Sequence, residues 1–396
     1  MVTLLFLVIL VIYIGLGIPD SALGASWPAL YIDLGFNIGY QSIISILISL
    51  GTVGASFFSA KLINKFGTQL VTAVSTALTA LMLLGFALSN SLIFFCLLAI
   101  PLGIGAGAID AALNNYVAIN YGSKHMNFLH AFYGVGVGIT PYIFSLTLAN
   151  NNDWRGGYKI IFIIQISLAL IAFLSLPLWK KVNQKKPEEE KFAPKTLTLK
   201  QMVKIPALKP SWLLFYTTCA LEFTFGAWGC TYLVNTEGLT ESNSALFLTL
   251  YYVGISASRL ISGFFAKKFS CGKILSFGCA LIFCGILLLF LPIPPQIKGL
   301  SMLFVGLGNG PTFPNAIYLT PYNFGKENSQ SIIGTQMVAC NLGILTIPPL
   351  FGLLIEKLTT SIFPYFTAFF FISMVTSIVL YQIKLKKLNK SLFTLY

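Results

Sequence analysis

Charge is scarce in this sequence. Only 9% of its 396 residues are Asp, Glu, Lys or Arg, against about a quarter in an ordinary soluble domain. That scarcity excludes a water-facing surface along most of the chain and makes lipid the expected solvent. The seven cysteines show no Cys-x-x-Cys or Cys/His spacing, so no metal site is expected. Most of them lie in apolar runs, where a thiol behaves as a small hydrophobe, and no disulfide is expected either. The polar loops contain no HExxH, no phosphate-binding glycine loop and no nucleophile–base pair, so enzyme chemistry is not expected. The net charge of +13 does not point to nucleic acid, because the basic residues are scattered between apolar segments and form no single polar face.

What fills the chain is apolar sequence, 56% of all residues. A spanning helix needs about 20 mainly apolar residues. Twelve segments qualify: Leu4–Leu30, Gln41–Ala60, Thr68–Leu88, Leu92–Ile119, Asn127–Leu148, Ile160–Trp179, Trp212–Val234, Ser244–Ala266, Lys273–Leu291, Leu300–Leu319, Ser329–Ile355 and Thr360–Ile383. The first has no basic n-region and runs on without a cleavage site, so it reads as a helix and not a signal peptide. Loops after even-numbered segments, with the C-terminal tail, carry 20 Lys, and the opposite loops carry four Lys or Arg. The positive-inside rule then puts both termini in the cytoplasm of a multi-pass protein of the plasma (inner) membrane. The expected fold is an all-α membrane protein of twelve transmembrane helices in two pseudo-symmetric six-helix bundles, residues 1–180 and 211–396. A Lys-rich cytoplasmic linker, 181–210, joins them.

Shifting the chain against itself by 203 residues aligns the halves. Gly51 then meets Gly254, Lys65 meets Lys268, and GIGAG from Gly103 to Gly107 meets GLGNG from Gly306 to Gly310. Duplicated halves enclosing a midplane site are the plan of a secondary transporter. On these features the chain resembles the major facilitator superfamily. That family's loop after helix 2 typically reads G-x-L-A-D-R-x-G-R. Here the stretch is AKLINKFGT, Ala60 to Thr68, with Asn64 in the acid's place, and the second copy has Lys267 there.

Charges inside a bilayer are costly, so each is a functional candidate. They are Asp20, Asp110, Glu222 and Arg259. Arg259, near one end of its segment, is expected to snorkel or latch a loop. Asp20 follows Pro19 among glycines and shares a face with Trp27. Asp110 shares a face with Asn114, and Asn127, His130, Gly134 and Gly138 form a polar-to-glycine stripe in the fifth segment. Asp110, Ala111, Ala112 and Asn114, then Met126, Asn127, His130 and Phe132, resemble the fucose permease-like sugar symporters. In those, proline stands at the place of Asn115 and glutamine at that of His130. Glu222, Gly226, Trp228 and Tyr232 resemble a helix 7 pattern of the same group. On a straight helix Trp228 lies about 120° from Glu222, so the two share a cavity only if the helix breaks near Gly226 and Gly229.

The resemblance implies a sugar transporter, expected to be monomeric, with H+ as coupling ion and Na+ as the alternative. Asp20, Asp110 and Glu222 are the expected coupling groups. Trp27, Asn114, Asn127, His130, Trp228, Tyr232, Gln336 and Asn341 are the expected substrate contacts. Two competing readings are an exporter of amphiphilic compounds and a non-transporting membrane sensor.

Overall fold

A computed structural model describes residues 2–121, 123–180, 197–265, 268–388 and 390–392. Among them all regular structure is helical, as lipid requires of a chain that must satisfy its own backbone hydrogen bonds. The first half holds α1 (Val2–Asp33), α2 (Tyr40–Phe66), α3 (Thr68–Leu88), α4 (Leu92–Asn120), α5 (Ser123–Leu148) and α6 (Trp154–Leu174). The second holds α7 (Leu208–Asn235), α8 (Glu241–Phe265), α9 (Cys271–Phe290), the broken α10, α11 (Lys326–Lys357) and α12 (Phe363–Lys386). Nine of these helices are long and apolar enough to cross a membrane among the described residues. The other three are α2, whose described apolar stretch is the short Tyr40–Ala55, α7, which carries several threonines and Glu222, and α10.

The structure corrects three sequence expectations. First, α10 is not one helix. It consists of Ser301–Asn309, Thr312–Tyr318 and Thr320–Phe324, because Pro311 and Pro321 supply no N–H and fit only at the start of a helical piece. Second, α6 starts six residues earlier than expected and stops at Leu174. The Asp153 side chain caps it by accepting from the Gly156 amide, and Pro177 forces a separate short helix, Leu176–Lys180. Third, Cys219 of α7 and Cys340 of α11 form a disulfide across a Cα–Cα distance of 5.5 Å. They lie 121 residues apart in the chain, so no local spacing could have revealed the pair. Residues 181–196 of the expected linker lie outside the described residues. The rest holds the short helix Leu199–Met202 and leads into α7 at Leu208.

The two halves repeat one packing plan. In the first, α1 packs on α5, α2 on α4 and α3 on α4; in the second, α7 packs on α11, α8 on α10 and α9 on α10. The glycines that align in sequence mark the same close crossing in each half. A Cβ on Gly103 would strike the Ile48 carbonyl, and one on Gly306 would strike the Tyr251 carbonyl. Likewise Gly107 sits against Thr52 and Gly310 against Ile255. Each pair of contacts is separated by the same 203 residues, so small side chains here are needed for backbone approach. The α2–α3 turn has a different demand: Gly67 sits at φ +80, where a Cβ is disfavoured.

The halves bond to one another at the end away from the chain termini. Tyr31 and Asn235 exchange hydrogen bonds, Gln41 donates to Ala227 O, Ser42 to Pro349 O and Ser242 to Ser145 O. Gly24 lies directly against the Gly226 carbonyl. On the side of this seal nearer the termini lie the intramembrane charges.

Candidate functional site

Proline and glycine shape the first part of the site. From Gly15 to Leu30 every residue of α1 is buried except Asp20, so Asp20 points into open space inside the bundle. Its Oδ2 accepts a hydrogen bond from the Tyr133 hydroxyl of α5. Gly17 lets the Tyr133 backbone come this close, since a Cβ there would strike the Tyr133 carbonyl. Further toward the termini, Asp110 of α4 accepts at Oδ1 from Tyr13 (2.7 Å) and from Asn114 (2.7 Å), and Asn114 also donates to the Tyr13 hydroxyl (2.9 Å). A cavity of about 250 Å³ opens beside these groups, lined on its polar side by Tyr13, Asp20, Thr52, Asp110, His130 and Tyr133. Such a wall offers hydrogen-bond donors and acceptors to a small solute, with Leu16 and Ala106 as its apolar part.

The second half arranges its charges differently. Glu222 of α7 accepts at Oε1 from Arg259 Nη2 of α8 (3.1 Å) and at Oε2 from Asn309 of α10 (3.2 Å). Arg259 Nε donates to the Gly310 carbonyl (3.1 Å), at the break in α10. The cluster therefore ties α7, α8 and α10 together, and the Glu222 and Arg259 side chains are only 14% and 29% exposed. A smaller cavity of about 30 Å³ separates it from the first half. Asp20, Tyr133, Glu222, Tyr252, Ser256 and Arg259 are its polar lining. Asp20 and Tyr133 border both cavities.

Of the eleven residues expected at the site, the structure brings Asp20, Asp110 and His130 to the larger cavity, Asp20 and Glu222 to the smaller, and Asn114 into bonds behind Asp110. Four others it uses elsewhere. Trp27 is fully buried and donates its indole N–H to Ile38 O. Trp228 is buried and donates to Pro348 O. Helix α7 runs unbroken past Gly226 and Gly229, so the straight-helix geometry holds and Trp228 turns away from Glu222. Tyr232 is buried and donates to Glu237. Gln336 is buried between Ser211, to which it donates, and Thr320, from which it accepts. Trp228 and Gln336 brace α7 against α11, whereas Trp27 and Tyr232 tie down the turns that follow their own helices. Asn341 is exposed but lines neither cavity, and the side chain of Asn127 lies outside the described residues. Arg259 also departs from expectation: it turns inward to Glu222 instead of snorkelling.

Tyr13, Tyr133, Tyr252 and Ser256 were missed from the sequence. Tyrosines recur in apolar helices as interface anchors, and nothing local marks these as inward. Tyr133 was nonetheless findable: it stands three residues after His130, next to Gly134, at the edge of the polar-to-glycine stripe.

The family model of the Major Facilitator Superfamily matches residues 5–348. Among similar proteins, Bypass of stop codon protein 6 of Saccharomyces cerevisiae is 22% identical over 87% of this chain and 76% of its own. The human Sodium-dependent glucose transporter 1 is 20% identical over 87% of this chain and 72% of its own. The Glucose/mannose transporter GlcP of Bacillus subtilis is 24% identical over 70% of each chain. Among solved structures, the nucleoside transporter NupG superposes with a TM-score of 0.69, covering 98% of this chain and 100% of that one at 11% identity.

Proposed function

Because the chain belongs to the major facilitator superfamily, and is therefore a multi-pass membrane transporter and not an enzyme, we propose that it carries a small polar solute of the sugar class by alternating access coupled to protons. The observation that carries this reading is the cavity of about 250 Å³ walled by Tyr13, Asp20, Thr52, Asp110, His130 and Tyr133. It sets hydroxyls, carboxylates and an imidazole against an apolar patch, the pattern of a pocket that orients a polyhydroxylated ligand. Relatives named as glucose transporters support the same class.

In this reading both termini lie in the cytoplasm of a plasma-membrane protein, in keeping with the 20-to-four basic bias. The bonded end is then the outer end, and the site faces inward. Asp20 and Asp110 are the coupling carboxyls. Each has space beside it for a proton or a solute hydroxyl, and neither has a cation partner among the described residues. Glu222 is the fixed counter-charge of Arg259. A neutral Asp110 binds the solute and lets the halves rock, which links the two movements. Sodium is the competing coupling ion, and one relative carries it in its name.

The test is uptake of radiolabelled glucose into proteoliposomes. A proton gradient is expected to drive accumulation in sodium-free buffer. Asp110→Asn is expected to lose at least ten-fold of that accumulation while retaining glucose counterflow. Unchanged gradient-driven uptake in the variant removes Asp110 from coupling, and uptake that needs sodium and ignores the proton gradient replaces the ion.

A further inference from the structure

Proline sets a specific demand at the break in α10. In a continuous helix the amide N–H of residue 314 would donate to the carbonyl of residue 310. Residue 314 is proline, so that amide does not exist and the Gly310 carbonyl has no α-helical donor. Arg259 of α8 supplies one: its Nε donates to Gly310 O at 3.1 Å. A side chain from a neighbouring helix thus stands in for the missing amide.

The packing of α10 changes at the same point. Ser301–Asn309 packs along α8 and α9, whereas Thr312–Tyr318 packs sparsely, on α9 and α7. Glu222 fixes the guanidinium at Nη2 and, through its other oxygen, accepts from Asn309, the residue just before the break. The part of α10 nearer the termini therefore hangs from a joint that Arg259 closes. Arg259 also lines the cavity of about 30 Å³ between the halves, with Asp20 and Tyr133 of the first half. That space has room for about one water molecule, so the Nε–H has a polar substitute at hand when the carbonyl moves away. A main-chain bond inside a helix offers no such exchange, since breaking it leaves both buried groups unpaired.

We propose that Arg259 is the releasable pin of a hinge in α10. Its bond to Gly310 O holds residues 312–324 in the arrangement described, and breaking that bond lets them swing as the halves rock. Glu222 keeps the guanidinium in place throughout, so the moving partner is the carbonyl. Arg259 is thus a positioning residue for transport. The inference rests on the alternating-access part of the reading above and not on its sugar class.

The experiment is amide hydrogen exchange of the detergent-purified protein, compared between residues 301–309 and 312–324, in wild type, Arg259→Lys, Pro314→Ala and the double variant. Arg259→Lys keeps the positive charge beside Glu222 and removes the Nε–H. It is expected to speed exchange over 312–324 about five-fold, the worth of one hydrogen bond, and to leave 301–309 unchanged. Pro314→Ala restores the missing amide. It is expected to slow exchange over 312–324 below wild type and to cancel the effect of Arg259→Lys in the double variant. A role of Arg259 in the ion pair alone would not be relieved by an amide on α10. Pro314→Ala also makes the joint permanent, so its maximal rate of glucose counterflow is expected to fall about five-fold while the half-saturating concentration stays within about two-fold of wild type. Three results each overturn the hinge: unchanged exchange over 312–324 in Arg259→Lys, no relief in the double variant, or a full counterflow rate in Pro314→Ala. If Arg259→Lys does not purify, Pro314→Ala alone decides, by exchange and by counterflow. Failure of the sugar-class reading is seen separately, as no glucose counterflow by wild type, and leaves the exchange measurement standing.

Discussion

In the first half, Asp20 and Asp110 face open space and take their hydrogen bonds from neutral groups, Tyr133, Tyr13 and Asn114. In the second, Glu222 faces a cation and an amide, and both its oxygens are occupied. The two halves share the close α2–α4 and α8–α10 crossings, down to the glycines that permit them. One fold, used twice, has therefore been given two electrostatic tasks. The first half leaves its carboxyls bordering a cavity. The second neutralises its own and adds a covalent cross-brace, the Cys219–Cys340 disulfide. The first half has no equivalent of that disulfide and cannot have one, since Cys96 is its single cysteine.

The sharpest way to break this contrast is to separate the charges of the second half. Glu222→Gln leaves Arg259 in a low-dielectric interior without its anion, and Arg259→Gln does the reverse. Each is expected to cost about 3 kcal/mol, the scale of an uncompensated buried charge, seen as a lower melting temperature of the purified protein. The double variant Glu222→Gln/Arg259→Gln removes both charges and is expected to recover most of that loss. Asp20→Asn has no cation to strand and is expected to melt near wild type. If Asp20→Asn destabilises as much as Glu222→Gln, the two halves do not differ in the way described.

A smaller effect tests what the halves share. Gly103→Ala presses a methyl onto the Ile48 carbonyl, and Gly306→Ala presses one onto the Tyr251 carbonyl. Both are expected to lower stability by about 2 kcal/mol, as overpacking does. Gly54→Ala, on α2 with nothing within 4 Å of the added atom, is the control and is expected to be neutral. Tolerance at Gly306 alone would mean that the break in α10 has relaxed the second crossing, and the repeat would then be one of sequence more than of packing.

The aligned glycines were legible in the sequence because backbone approach constrains residue type directly: only a missing side chain permits it. The all-helical membrane class was legible for a similar reason, since lipid thickness fixes segment length. The roles of the aromatic residues were not. Trp228 and Tyr232 fit a sugar-stacking pattern, yet their polar tips are claimed by Pro348 O, 120 residues away, and by Glu237 in the turn just after α7. Tyr133 shows the converse. It matters because Gly17, 116 residues away in the chain, lets it reach Asp20. The break in α10 was written in the sequence at Pro311 and Pro321 but masked by the length and apolarity of the run around them.

The smallest expected effects separate a brace from a binding group within one comparison. Trp228→Phe keeps an aromatic ring against Phe351 and removes the hydrogen bond to Pro348 O, at a cost of about 1 kcal/mol in stability. Since Trp228 is buried and lines neither cavity, the glucose concentration that half-saturates counterflow is expected to stay within two-fold of wild type. Asn114→Ala behaves in the opposite sense. It removes the amide that holds Asp110 and Tyr13 in place, and is expected to raise that concentration about five-fold, the equivalent of about 1 kcal/mol, with little change in melting temperature. The pairing matters because both residues were expected substrate contacts, Trp228 only on condition that its helix breaks near Gly226 and Gly229. A five-fold loss of apparent affinity in Trp228→Phe, with none in Asn114→Ala, would reverse the assignment and move the solute toward the second half.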